Sequence, residues 1–323
     1  MTEEDQYEDG TIPFPTKRTD TPCFTYYKIY GNLIAGPPPV IVLHGGPGAQ
    51  HKYMTPFKAL WKRYGLPVIF YDQIGCGRSV HLRHLKGDQE FWKIDIFHEE
   101  LENLIRHFKL DAPDGSGYHL LGHSFGGQLV TAFAAKQPPG LQRLIIASAS
   151  ASKALFNKEL WKLTEQLSPK AQASIHDAVE KLDFSRPAYL AANAEFRETF
   201  VCHARPYPPP LMVPDPDTQP DDDTVRTTVQ GRSLWIREGT MRDYDFIPIL
   251  HRINVPTLLY KGETETTELD PMIPLFEGIA KCRFVTIGKA SHMPHLDSAE
   301  LYEKTLTLVG MFLKPGDWAG PRE

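Results

Sequence analysis

The chain has 323 residues, 41% of them hydrophobic and 23% charged, with a formal net charge of -5. That length buries a substantial core, in one large domain or two. The charge balance leaves no basic stripe for nucleic acid, and no apolar run nears the roughly 20 residues that span a bilayer.

The N-terminus, MTEEDQYEDG, is acidic and lacks the basic-then-apolar pattern of a secretory signal, so a cytoplasmic location is expected. Residues 1–20 read as a polar arm. CFTYYKIYG, from Cys23 to Gly31, has the aromatic and β-branched content of a strand. VIVLH and PVIFYD are short continuous apolar runs, as strands buried on both faces require. Between them Pro56 to Lys62 predicts a helix. Ile94, Ile96, Leu101, Leu104, Ile105 and Phe108 recur at helical spacing, which predicts a helix over 91–108. YHLLG, then GQLVTAFAAKQ, then LQRLIIAS continue the strand–helix alternation of a mostly parallel sheet flanked by helices.

The rhythm changes over residues 153–235. ALFNKELWKLTEQL, AQASIHDAVEKL and AYLAANAEFRETFVCHA all read as helices, and no parallel strand interrupts them. The proline- and acid-rich run 206–223 excludes a regular element and reads as a loop. Alternation resumes with VPTLLYKG, RFVTIG and the closing helix LYEKTLTLVGMFL. The chain therefore divides into a core of residues 21–152 and 236–323, with a helical cap over 153–235. Such a cap would hang above the C-terminal strand ends, where open α/β sheets bind ligands.

GHSFGG, Gly122 to Gly127, lies between a predicted strand and a predicted helix. Strand, sharp turn and helix around a serine make a nucleophile elbow, with Ser124 as the nucleophile. The alternative, a glycine-rich loop that caps a helix, leaves the other pieces below unexplained. A serine hydroxyl needs a base. His292, in KASHMPH between the last strand and the last helix, is the base by order along the chain, ahead of His295. The acid belongs after VPTLLY, where GETETTELD offers Glu263, Glu265, Glu268 and Asp270. Glu265 is favoured, three residues past the strand-end glycine, and Asp270 is the alternative acid. The oxyanion hole would take the amide of Phe125 and one from the HGGPG loop, Gly45 or Gly46. Four dispersed cysteines form no C-x-x-C pair, and thirteen scattered histidines form no H-E-x-x-H, so neither metal nor cofactor is expected.

Taken together, HGGPG at 44–48, YDQIGCGRS at 71–79, GHSFGG at 122–127 and SHMPH at 291–295 resemble the proline iminopeptidase family of α/β-hydrolases. The likeness runs from about residue 25 to 315. It implies an α/β-hydrolase fold with an inserted helical cap. It also implies a cofactor-free serine hydrolase that cleaves small amides or short peptides. In this context Asp72 and Arg78 look structural, and Gln73 is placed to line the pocket.

Two departures bear on the substrate. The family's acid loop often reads G-E-x-D-E, in which the aspartate is catalytic and the next glutamate holds the substrate's free amine. Here Glu265 takes the aspartate's place and Thr266 the glutamate's. A second amine-binding glutamate at the end of the cap is matched by Leu234. A buried ammonium without a carboxylate is costly. Glu195, Glu198 or Glu238 are the available replacements. The loop ASASAS, Ala147 to Ser152, either widens the pocket or packs tightly under the cap. Two enzymatic readings follow: an amidase or N-terminal aminopeptidase acting on a small molecule or short peptide, and a carboxylesterase or lactonase acting on an uncharged metabolite. A non-catalytic binding module is disfavoured because all the catalytic pieces persist. An epoxide hydrolase or dehalogenase would carry aspartate at the elbow, and a bulk-lipid lipase would need a membrane-binding amphipathic run.

Overall fold

The computed structural model describes residues 6–34, 36–208 and 222–314. Eight strands form one sheet: β1 Glu8–Pro13, β2 Phe24–Tyr30, β3 Val40–Leu43, β4 Val68–Tyr71, β5 Tyr118–His123, β6 Leu141–Ala147, β7 Thr257–Gly262 and β8 Cys282–Ile287. Their order is β1-β2-β4-β3-β5-β6-β7-β8. The pairs β1·β2 and β2·β4 are antiparallel and every later pair is parallel. The apolar runs of β3, β4 and β5 are buried throughout, as strands covered on both faces must be.

Helices α1 (Ala59–Tyr64), α2 (Ile94–His107), α3 (Phe125–Ala134), α4 (Lys153–Thr164), α5 (Pro169–Lys181), α6 (Pro187–Phe196), α7 (Leu269–Gly278) and α8 (Ala299–Leu313) complete the framework. One face of the sheet packs on Ile96, Phe97 and Leu101 of α2, Leu129 and Phe133 of α3, and Met272 and Leu275 of α7. The other packs on Leu60 of α1 and Leu306 and Val309 of α8. Each such side chain taken out of water contributes about 1.5–3 kcal/mol before conformational entropy is counted. The helices between β6 and β7 form a cap with a core of its own. Leu160, Leu163, Ile175, Phe196, Phe200 and Trp235 cluster there, and the Trp235 indole donates to Thr164 Oγ1 at 2.8 Å.

Three expectations need correction. The polar arm is not all arm: residues 8–13 pair with β2 as an antiparallel edge strand, and the Asp9 carboxylate accepts from the Tyr26 hydroxyl at 2.7 Å. The helix expected from Pro56 begins earlier as 3₁₀ turns over His51–Lys58 and becomes α-helical only at Ala59. Helix α7 was unforeseen because Pro271 and Pro274 argue against a helix; the first sits in the initial turn, where a missing N–H is tolerated. Most of the acidic proline-rich loop, residues 209–221, lies outside the described residues.

Candidate active site

The serine is held by backbone geometry. Ser124 sits between the last residue of β5 and the first of α3, with φ 55° and ψ -119°. A non-glycine residue at positive φ is strained and persists only where its surroundings over-determine it. The glycines supply that constraint. A Cβ on Gly122 would lie 2.2 Å from the Gly126 carbonyl oxygen, and one on Gly126 would lie 2.3 Å from that of Leu43. Strand and helix therefore cross at a separation that only glycine permits. Phe125, at the first helical position, has no carbonyl one turn back to receive its amide.

His292 and the buried Glu265 form a pair, with Nδ1 2.7 Å from Glu265 Oε2. The Thr266 hydroxyl is 3.0 Å from the same nitrogen. With Nδ1 committed to the carboxylate, Nε2 is the nitrogen left for a proton transfer. The turn that carries His292 is fixed from both sides. Asp297 accepts from the Ser291 amide at 2.6 Å and the Ser291 hydroxyl at 2.7 Å, while the His292 amide donates to the Phe200 carbonyl of the cap at 3.1 Å. Asp270 does not approach this histidine. It lies at the surface and pairs with Lys162 at 2.9 Å. His295 is buried, 3.2 Å from the Tyr53 carbonyl, and burial pushes its imidazole down to about 3.

Behind the histidine lies a network the sequence did not announce. The His123 ring packs 4.7 Å from the His292 ring and donates through Nε2 to the His292 carbonyl at 2.8 Å. Its Nδ1 accepts from the Tyr53 hydroxyl at 2.9 Å, and that hydroxyl accepts the Gly45 amide at 2.5 Å. Burial, together with His292 and His295, holds the His123 imidazole well below the ordinary histidine range. It is a neutral spacer between Tyr53 and the histidine turn.

This network removes Gly45 from the expected oxyanion hole, because its N–H already has a partner. Gly46, at φ 115°, lines the cavity instead. Gln73 also departs from expectation. It is fully buried, donates through Nε2 to the His44 carbonyl at 2.7 Å and, through its amide, to His44 Nε2 at 3.1 Å. It braces the HGGPG loop rather than lining the pocket. Asp72 and Arg78 hold loops: Asp72 accepts from the His51 amide at 2.7 Å and the Arg78 amide at 2.9 Å, and the Arg78 guanidinium reaches Asp9 at 3.1 Å. Burial alone would raise the Asp72 carboxyl, but its contacts with His51 hold it at about 2.

A cavity of about 540 Å³ lies between sheet and cap, and Gly46, Ser124, Phe125, Leu234, Thr266 and His292 are on its wall. Glu195 is not. Its carboxylate accepts from the amide and hydroxyl of Ser168 at 2.6 and 2.8 Å, at the start of α5. Glu198 pairs with Arg205 at 3.4 Å and Glu238 with Arg232. Among the described residues, no glutamate lines the cavity; its acid is Asp222, which is 2.6 Å from His81 Nδ1. ASASAS serves two ends: Ser148 lines the cavity, and Ser152 Oγ caps α4 by accepting the Leu155 amide at 3.3 Å. Among the described residues no group of three or more histidines, cysteines or carboxylates could hold a metal ion, and no helix is long and apolar enough to cross a membrane.

The alpha/beta hydrolase fold family matches residues 38–299. The proline iminopeptidase of Levilactobacillus brevis is 32% identical over 288 residues, covering 88% of this chain and 91% of that protein. The crystal structure of VinJ superposes with a TM-score of 0.84 at 31% identity, covering 94% of this chain and 98% of VinJ. That of a Mycobacterium smegmatis proline iminopeptidase gives 0.81 at 29% identity, covering 94% and 97%.

Proposed function

The chain belongs to the proline iminopeptidase-like branch of the α/β-hydrolases and is a serine hydrolase, and we propose that Ser124, His292 and Glu265 carry out acyl transfer from a small amide in the capped cavity. The observation that carries this reading is the 2.7 Å bond between buried Glu265 and His292, on the wall that also presents the strained Ser124. Ser124 Oγ attacks the substrate carbonyl as His292 Nε2 takes its proton. The oxyanion that forms receives the amides of Phe125 and Gly46, each of which contributes about 3 kcal/mol where the charge develops. The C–N bond breaks, and His292 returns the proton to the leaving amine. Water then attacks the acyl-enzyme through the same base, releasing the acid and restoring Ser124. Glu265 orients the imidazole and stabilises its charged form.

Ester or lactone cleavage by the same steps is a second reading. It is favoured by Leu234 and Thr266 at the positions where a free α-amine would need glutamates, and by the absence of glutamate from the described wall. A panel of prolyl, alanyl and N-blocked arylamides beside short acyl esters separates the two. Arylamide turnover exceeding ester turnover supports the first reading, and activity on esters alone supports the second. Ser124→Ala is expected to abolish turnover of every member, by about 10⁶-fold. Wild-type rates in that variant would refute the mechanism.

A further inference from the structure

We infer that the cavity beside Ser124 contains an anion subsite centred on Lys153, which accepts a substrate bearing a free carboxylate. This rests on the hydrolase reading of the same cavity and names the substrate class that reading leaves open. Lys153 is the first residue of α4, is only 5% exposed, and lines the cavity with Ser124 and His292. Among the described residues its ammonium has neither a carboxylate nor a hydrogen-bond acceptor; the neighbour it meets is the Phe156 ring, 5.2 Å from Nζ to the centroid. A buried ammonium facing no counter-charge is costly, and a bound anion relieves that cost. The surroundings favour the same sign of ligand. Lys153 lies at the positive end of a twelve-residue helix. Arg197 shares the cavity wall, as do Arg226 and Arg232, which are paired with Asp223 and Glu238; the wall's acid among the described residues, Asp222, is itself paired with His81.

Neutral polar groups flank the lysine. The Lys153 amide donates to the Tyr244 carbonyl at 2.9 Å, and the Tyr244 hydroxyl accepts from Gln128 Nε2 at 2.9 Å. Both residues line the cavity. One buried ammonium, flanked by the uncharged Gln128 and Tyr244, matches one negative charge, so the ligand class is a monocarboxylate rather than a phosphate dianion. The contrast with a free-amine substrate is direct: the cavity presents a cation where an amine-binding site presents carboxylates. Burial, with the positive charge of Arg237 adding to it, pulls the Lys153 ammonium down to about 8, as expected of a site that awaits its counter-ion.

The test compares matched esters that differ by one carboxylate: mono-4-nitrophenyl glutarate against 4-nitrophenyl pentanoate, with the charge on the acyl side, and 4-acetoxybenzoate against phenyl acetate, with the charge on the leaving group. In at least one pair the wild-type enzyme is expected to favour the anionic ester in kcat/KM. That ratio should fall about 10- to 100-fold in Lys153→Met and Lys153→Gln, mainly through KM. A wild-type ratio near one in both pairs, or a ratio that survives both variants, overturns the subsite while leaving the hydrolase reading intact. Calorimetry of monomethyl glutarate on Ser124→Ala supplies a readout independent of turnover. Binding that disappears in Ser124→Ala/Lys153→Met supports the subsite even if no ester is hydrolysed. No binding to Ser124→Ala overturns it.

Discussion

Shortening Glu265 by one methylene tests the acid's role through distance while keeping its charge. Its Oε2 lies 2.7 Å from His292 Nδ1, and the side chain is fully buried. Glu265→Asp withdraws the carboxylate by about 1.5 Å, the length of one carbon–carbon bond, to roughly 4 Å from the nitrogen. That is beyond hydrogen-bond reach, and burial on all sides prevents the loop from following without loss of packing. The Thr266 hydroxyl, 3.0 Å from Nδ1, still orients the ring but carries no charge to stabilise the imidazolium. The expected loss in kcat is about 10²-fold for Glu265→Asp and about 10²- to 10⁴-fold for Glu265→Gln, which is about 3 to 5 kcal/mol of transition-state stabilisation. Steady-state rates on the best arylamide or ester of the panel give the measurement, with thermal melts to show that each variant is folded. Asp270→Asn, at the surface, should keep wild-type turnover. Full activity in Glu265→Gln, or loss in Asp270→Asn, would refute the assignment of the acid.

Gly122→Ala drives a methyl to 2.2 Å from the Gly126 carbonyl oxygen, so we expect about 3 kcal/mol of destabilisation, read by denaturant unfolding; a melt unchanged from wild type would contradict the close crossing of β5 and α3. Glu100 is fully buried beneath the 71–79 loop, where it accepts from the Thr25 hydroxyl at 2.6 Å and the Ile74 amide at 2.9 Å, and burial raises its carboxyl to about 8. Its contribution to stability is full below the unfolded value of 4.5 and is lost as pH rises towards 8, by a few kcal/mol. Glu100→Gln should flatten that slope and be the more stable protein at pH 8; parallel pH–stability curves would rule this out. Lys153 is charged below about 8 and neutral above it, so the kcat/KM ratio of anionic to neutral ester should fall as pH rises through 8. The ratio cancels any pH dependence common to both substrates. Arg237 is the charged neighbour acting on this lysine, and Arg237→Gln should move the fall to higher pH.

The serine elbow and the fold around it were legible because their signals are local. Continuous apolar runs declare strands buried on both faces, and G-x-S-x-G between a strand and a helix declares the elbow, since only glycine fits where β5, α3 and β3 crowd together. The order serine, acid, histidine then pointed to His292 and Glu265. What stayed hidden depended on how segments distant in the chain meet. Tyr53 and Gly45 are eight residues apart, but their bond matters because the same hydroxyl also meets His123, and this occupies the Gly45 amide and leaves Gly46 as the proposed oxyanion donor of that loop. Gln73 looked like a pocket residue by motif, yet its side chain turns inward to His44. Glu195 was a candidate in the cap and instead holds Ser168, the residue that caps α5. Lys153 carried no sequence signal at all: a lysine at a helix start is ordinarily a solvated charge. Only the folding of the cap over the sheet buries its ammonium against the cavity, because burial and counter-charge belong to the packed surfaces around a residue and not to its neighbours in the chain.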